Sequence, residues 1–174
     1  MSLESRFYLL IVDEVRAQPG MLADLETLTP ARKLLAVLGR LSPLLGPTGA
    51  PDLVVNAAGL GPKLQSDLGP KPVDLTEKLA RWEGAFRDLD KNYVALCRNA
   101  LVHLIWRDCV AAEEAINMAK YKMDNWALAH YVYGLLRGLQ GDAGKAHFEL
   151  YLAAHREPYP EARQRIERAL DLVR

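Results

Sequence analysis

Apolar residues recur at helical spacing over most of this sequence. In the first segment Leu3, Phe7, Leu10, Ile11 and Val15 predict a helix from Ser2 to Gln18, with Ser2 as N-cap and Pro19-Gly20 as the stop. The run Phe7–Val12 also reads as a strand. Met21 to Leu28 predicts a short helical turn. Thr29-Pro30 then starts a helix with a capping hydroxyl and a first-turn proline, and Leu34, Leu35, Val37, Leu38 and Leu41 give it a broad apolar face. After Asp74 the helical period runs almost to the end. Asp74 and Glu77 have capping-box spacing, and Leu75, Leu79, Trp82, Phe86 and Leu89 mark one face. Further helices are predicted over about 91–107, 109–122, 125–140, 143–156 and 160–173.

The pattern breaks between Ser42 and Val73. Six of the ten prolines and five of the twelve glycines fall there, including Gly46-Pro47, Gly61-Pro62 and Gly69-Pro70. Leu53, Val54 and Val55 are candidates to anchor this stretch, and Lys63–Leu68 for one helical turn. The chain therefore divides into an N-terminal helical segment (1–45), a Pro/Gly-rich linker (46–73) and a helical domain (74–174).

A period of 34 residues runs through the last of these. It relates Asp74, Asp108 and Asp142, each ahead of a predicted helix, then Trp82, Ile116 and Leu150, then Ala85, Ala119 and Ala153. Two units can be framed, Tyr93–Trp126 and Ala127–Pro160, preceded by a half-unit and followed by a last helix from Glu161. Small residues stand where the two helices of a unit must approach: Ala100, Ala112 and Ala119, then Gly134, Ala146 and Ala153. Gly141 is placed to end one helix in the left-handed conformation while Asp142 caps the next. In this period and these positions residues 93–160 resemble the tetratricopeptide repeat family. The resemblance covers 74–92 in half and 1–73 not at all. It departs at Leu96 and His130, where an aromatic is expected, at His103 and Arg137, where a large apolar residue is expected, and at Asp124, which replaces a closing proline. A bundle of antiparallel helices with similar loop lengths is the alternative.

The resemblance implies an all-α fold of antiparallel helix pairs in a right-handed superhelix, with a C-terminal capping helix and an N-terminal helical segment. It further implies that the first helix of each unit lines a concave groove: Val94, Cys97, Leu101 and Leu104, then Leu128, Tyr131 and Leu135. Members that clamp a C-terminal carboxylate present lysine and asparagine on this surface, which Cys97, Leu101 and Tyr131 cannot imitate. An apolar surface of that extent needs a cover. The candidates are the chain's own helix around Phe7–Val15 or Leu34–Leu41, a second copy, or a partner's helix or peptide.

Charge and candidate chemistry narrow the function. The 22 basic and 22 acidic residues balance, so nothing favours a duplex nucleic acid or an anionic membrane, and the arginines of the last helix are interleaved with Glu161, Glu167 and Asp171. Phe7–Val12 is too short to span a bilayer and carries no cleavage site, which makes the cytoplasm the expected location. Cys97 and Cys109 lie roughly 15 Å apart at 1.5 Å per residue along a helix, too far for a disulfide. Cys97 reads as a small buried apolar residue. His147 and Glu149 point to different helix faces, and no carboxylate is spaced to complete a metal site with His103 and His130. Glu113 and Glu114 read as a solvated face, and Gly59-Leu60-Gly61-Pro62 lacks the rest of a phosphate loop. The expectation is an interaction module or adaptor subunit with no catalytic residues, cofactor or metal; a bundle holding a small apolar ligand, or a helical enzyme, is the alternative.

Overall fold

A computed structural model describes residues 2–16, 69–71, 73–123 and 127–174. The helices predicted from Met21 and Thr29, the anchors Leu53–Val55, the turn at Lys63–Leu68, Asp124 and Trp126 lie outside them. The described residues are all-helical: α1 (Leu3–Arg16), α2 (Leu75–Gly84), α3 (Leu89–Ile105), α4 (Cys109–Lys122), α5 (Ala127–Leu139), α6 (Ala143–Arg156) and α7 (Pro160–Asp171). None is long and apolar enough to cross a membrane.

The 34-residue step reappears in the helix bounds. Helices α2, α4 and α6 begin at residues 75, 109 and 143, and α3 and α5 end at residues 105 and 139. The connections α3–α4 and α5–α6 are built alike. In the first, the Arg107 amide donates to Leu104 O and the Asp108 amide to His103 O; in the second, Gly141 donates to Gly138 O and Asp142 to Arg137 O. Both are Schellman turns with a left-handed residue after the helix, Arg107 at φ 58° and Gly141 at φ 80°. The aspartate that closes each turn then caps the following helix, Asp108 accepting from the Ala111 amide at 3.1 Å and Asp142 from the Lys145 amide at 3.0 Å. Gly141→Ala is expected to cost about 1–2 kcal/mol, because a Cβ is strained at positive φ and would stand 2.6 Å from Glu4 Oε1. Urea unfolding checks it, and an unchanged midpoint would contradict the strain.

Three local expectations need correction. The face Leu75–Leu89 does not belong to one helix: α2 stops at Gly84 and Leu89 opens α3. Glycine is a poor helix residue, and the extended Asp88 (φ −65°, ψ 133°) redirects the chain, leaving Phe86 packed edge-on against Trp82 at 5.3 Å. Asp74 makes no capping bond; its carboxylate pairs with Lys78 at 2.8 Å one turn on. Gly134 does not face Ala146 or Ala153 most closely, because a Cβ there would stand 2.6 Å from Leu150 Cγ. Leu150, flanked by those alanines and fully buried with them, uses the space the glycine leaves.

One apolar core draws side chains from all seven helices. Helix α2 packs on α3, α3 on α4, α5 on α4 and α6, and α6 on α7. Helix α1 lies on α3 and α5, remote from both in sequence. It is a helix throughout, so the strand alternative for Phe7–Val12 does not hold. Ser2 Oγ accepts from the Ser5 amide at 3.2 Å and starts it. Phe7–Val12, six consecutive residues and so every side of the middle of α1, are buried, as are Glu14 and Val15.

Candidate functional site

The residues singled out lie on α3 and α5, the two helices on which α1 packs. Cys97, Leu101, Leu104 and Leu135 are fully buried and Tyr131 is nearly so, whereas Val94 and Leu128 are only partly buried. The packing of α1 is locked by polar contacts that apolar periodicity does not reveal. Tyr131 Oη donates to Glu14 Oε2 at 3.0 Å, and Arg165 of α7 stands 2.8 Å from Glu14 Oε1. A buried carboxylate needs such partners. Burial, and then the adjacent Glu14 carboxylate, hold the Tyr131 phenol well above its ordinary pKa. At the other end of α1, Tyr8 Oη donates to Ile105 O at 3.0 Å, satisfying a carbonyl left over at the end of α3, while Arg107 sits over the Tyr8 ring at 4.5 Å.

Gly138 explains how α1 seats. The lining positions of α3, advanced by 34 residues, are Leu128, Tyr131, Leu135 and then Gly138, where α3 has Leu104. The missing side chain is replaced by the Phe7 ring, which occupies the place a Cβ on Gly138 would take. Sequence reading passed over Gly138. An interior glycine costs a helix about 1 kcal/mol, and that penalty was the available signal of a close approach.

Val94 and Leu128 remain open because they lie toward the N-terminal ends of α3 and α5. They form one wall of a cavity of about 550 Å³, completed by Ala127, Pro158, Tyr159 and Ala162, with Arg156 and Glu157 as its charged groups. A smaller hollow of about 240 Å³ continues past Val94 toward Phe86, Lys91 and Arg98. Tyr159 is 72% exposed and stands at the mouth.

Arg156 is held by a chain of polar groups beneath the cavity. Its Nη1 lies 2.7 Å from His130 Nε2, and His130 Nδ1 lies 2.7 Å from Glu149 Oε2. A guanidinium only donates, so this geometry assigns Nε2 as acceptor and Nδ1–H as donor to the carboxylate. An imidazole backed by a carboxylate is the arrangement used for general-base chemistry, but here the Nε2 lone pair is directed at Arg156. The expectation concerned a metal site completed by a carboxylate between His103 and His130; Glu149 stands with His130 alone, and no group of three His, Cys, Asp or Glu side chains able to hold a metal ion is found among the described residues. Glu149 comes from α6, nineteen residues away, and only the pairing of α5 with α6 brings the two together. Comparison with known proteins finds no match: no family model, no curated protein and no solved structure is similar to the chain.

The remaining candidates sort by burial. Cys97 and Cys109 are free thiols. Burial, opposed in part by a hydrogen bond with Tyr93, pushes the Cys97 thiol up to about 12, which removes it as a thiolate nucleophile. Tyr93 Oη accepts from the Ala129 amide at 2.8 Å and so satisfies a first-turn donor of α5. Glu114 is exposed and Glu113 partly so, but Glu113 is also tied to α5: its Oε1 accepts from Tyr133 Oη at 2.7 Å and Arg137 Nη2 at 2.9 Å. His147 is exposed and Glu149 buried, on different faces of α6.

Proposed function

We propose that the chain is a protein-interaction module of the tetratricopeptide kind, and that a partner's apolar side chain docks in the cavity between α3, α5 and the α6–α7 connection. In this reading α3–α4 and α5–α6 are consecutive helix pairs of a right-handed superhelix and α7 is its capping helix. The duplicated turns and the 34-residue steps in helix ends support that assignment. The observation that carries the docking site is the cavity: about 550 Å³ of mainly apolar wall that includes Val94 and Leu128. Its Arg156, oriented through His130, provides a fixed donor for a polar group beside the docked side chain.

Selection of displayed peptides against the protein tests this. Enriched peptides are expected to carry an apolar anchor and to lose about ten- to hundredfold in affinity for Leu128→Arg, the range given by losing the burial of one such side chain. Equal binding by a Leu128→Arg variant with an unchanged melting temperature would sink the reading. The same volume lies within the range of small-molecule pockets, which favours a small apolar ligand as the second reading. Saturable binding of a small apolar dye, blocked by Leu128→Arg and unaffected by the selected peptides, would favour it over the first.

A further inference from the structure

Beneath the docking cavity runs a hydrogen-bonded chain that a single proton breaks. Arg156 Nη1 donates to His130 Nε2 at 2.7 Å, and His130 Nδ1–H donates to Glu149 Oε2 at 2.7 Å. A charged group thus stands at each ring nitrogen, a carboxylate on one side and a guanidinium on the other. His130 is 4% exposed and Glu149 8%, whereas Arg156 is exposed and lines the cavity. The chain therefore runs from the interior to the wall on which a partner docks.

This arrangement tolerates only one state of the ring. A guanidinium donates and never accepts, so Nε2 must be unprotonated wherever it meets Arg156. In that state Glu149 and Arg156 balance one another across a neutral imidazole. A proton added at Nε2 removes the acceptor and sets a second positive charge against the guanidinium at hydrogen-bond distance. Glu149 then balances the imidazolium, and the guanidinium becomes the surplus charge. Of the three groups, Arg156 alone has solvent to move into.

Other charged and titratable groups reach α5 from each helix packed on it. From α1, Glu14 meets Tyr131 together with Arg165 of α7. From α3, Tyr93 meets the Ala129 amide. From α4, Glu113 meets Tyr133 and Arg137, and Lys120 stands over the Tyr133 ring at 5.1 Å. At the end of α6, Glu157 shares the cavity wall with Arg156, and its Oε1 accepts from the Tyr159 amide at 3.1 Å. Glu149 and Arg156 are placed on the His130 ring itself.

We infer that His130 is a pH-sensitive latch on the docking cavity: protonation at Nε2 expels Arg156 and withdraws the fixed donor from the cavity wall. The inference rests on the docking reading above, whose donor it regulates. Partners that use this donor bind at neutral pH and are released as pH falls. Linkage makes the effect reciprocal, so a bound partner of that kind shifts the His130 titration to lower pH.

The first test is an acid titration of the full chain without any partner. The His130 ring and the Arg156 Nε–H signal are followed together by NMR from pH 8 to pH 5, the range in which an ordinary imidazole changes charge. The two are expected to move together, and the Arg156 signal to stay still in His130→Gln, which takes no proton. Should His130→Gln not fold, Arg156→Met removes the exposed guanidinium instead, and the His130 titration is then expected to shift to higher pH. The second test is the affinity of the display-selected peptides at pH 7.5 and pH 5.5. A loss of about tenfold or more is expected for the wild type, and none for either variant. His103, His147 and His155 remain in both variants, so their titration cannot imitate that result. Coupled signals with no peptide enriched would support the latch and sink the docking reading alone. An Arg156 signal that ignores the His130 titration, a ring that keeps its charge throughout, or wild-type peptide affinity independent of pH overturns the inference.

Discussion

Phe7→Ala is expected to destabilise the protein by about 3–5 kcal/mol, the usual cost of emptying a buried aromatic site. The ring is fully buried and fills the place of the side chain that Gly138 lacks. Its loss leaves a cavity that cannot close without moving α1 relative to α5. The same contact is sensitive from the other side, since Gly138→Ala puts a methyl group into the ring and is expected to cost about 1–3 kcal/mol or more by overpacking. Both variants should bind an apolar-surface dye more strongly than the wild type, because α1 packs on α3 and α5, whose apolar residues Leu101, Leu104 and Leu135 are buried. Chemical denaturation with the two single variants and the double variant measures this. Wild-type stability and dye binding in Phe7→Ala would mean that α1 does not hold the surface closed.

The second large effect is on acid stability. Burial and Lys71 lower His103 from 6.5 to about 4 in the folded chain. Between those values the unfolded chain carries a proton that the folded chain does not, so stability rises with pH through the window and is complete above about 6.5. Descending from pH 7 to pH 4 should therefore remove up to about 3 kcal/mol. Asp108 acts below that window. Burial raises its pKa, but the Lys71 hydrogen bond, the Ala111 amide and the Lys71 charge outweigh burial and leave it lowered. Its contribution is lost only as pH falls past the ordinary carboxylate range. Unfolding curves at pH 7, 5.5 and 4.5 for the wild type and His103→Gln separate the two groups: the variant should lose most of the slope above pH 4.5. Parallel curves would reject His103 as the cause.

The helices after Asp74 were legible because their signals are local. Residues 109–122 and 143–156 needed only a capping aspartate and the apolar period, and their observed bounds match. The failures lie where the deciding partner is remote. Leu75–Leu89 reads as one helix by periodicity, but Gly84 and the extended Asp88 split it. The tie of Glu113 to α5 was not legible, because Tyr133 and Arg137 reach it from another helix. Glu149 finds His130 only once α5 and α6 are paired. The candidate lining residues were identified as an apolar set, and the partners that lock α1 in place, Glu14 and Arg165, are charged residues that no apolar pattern contains. Gly138 was the exception, since one more step of 34 from Leu104 reaches it.

The reach of α1 also sets an order of events during synthesis. The bond from Tyr8 to Ile105 spans 97 residues, and the bond from Tyr131 to Glu14 spans 117. A ribosome adding about 5–20 residues per second needs roughly 6–25 s to cover the second interval. Throughout that time α1 has been made but α5, its main seat, has not. The nascent chain thus carries an apolar segment whose burial is among the last long-range steps of folding. Arrest or truncation before Gly138 would leave Phe7 without its seat and α1 available to chaperones or to other nascent chains.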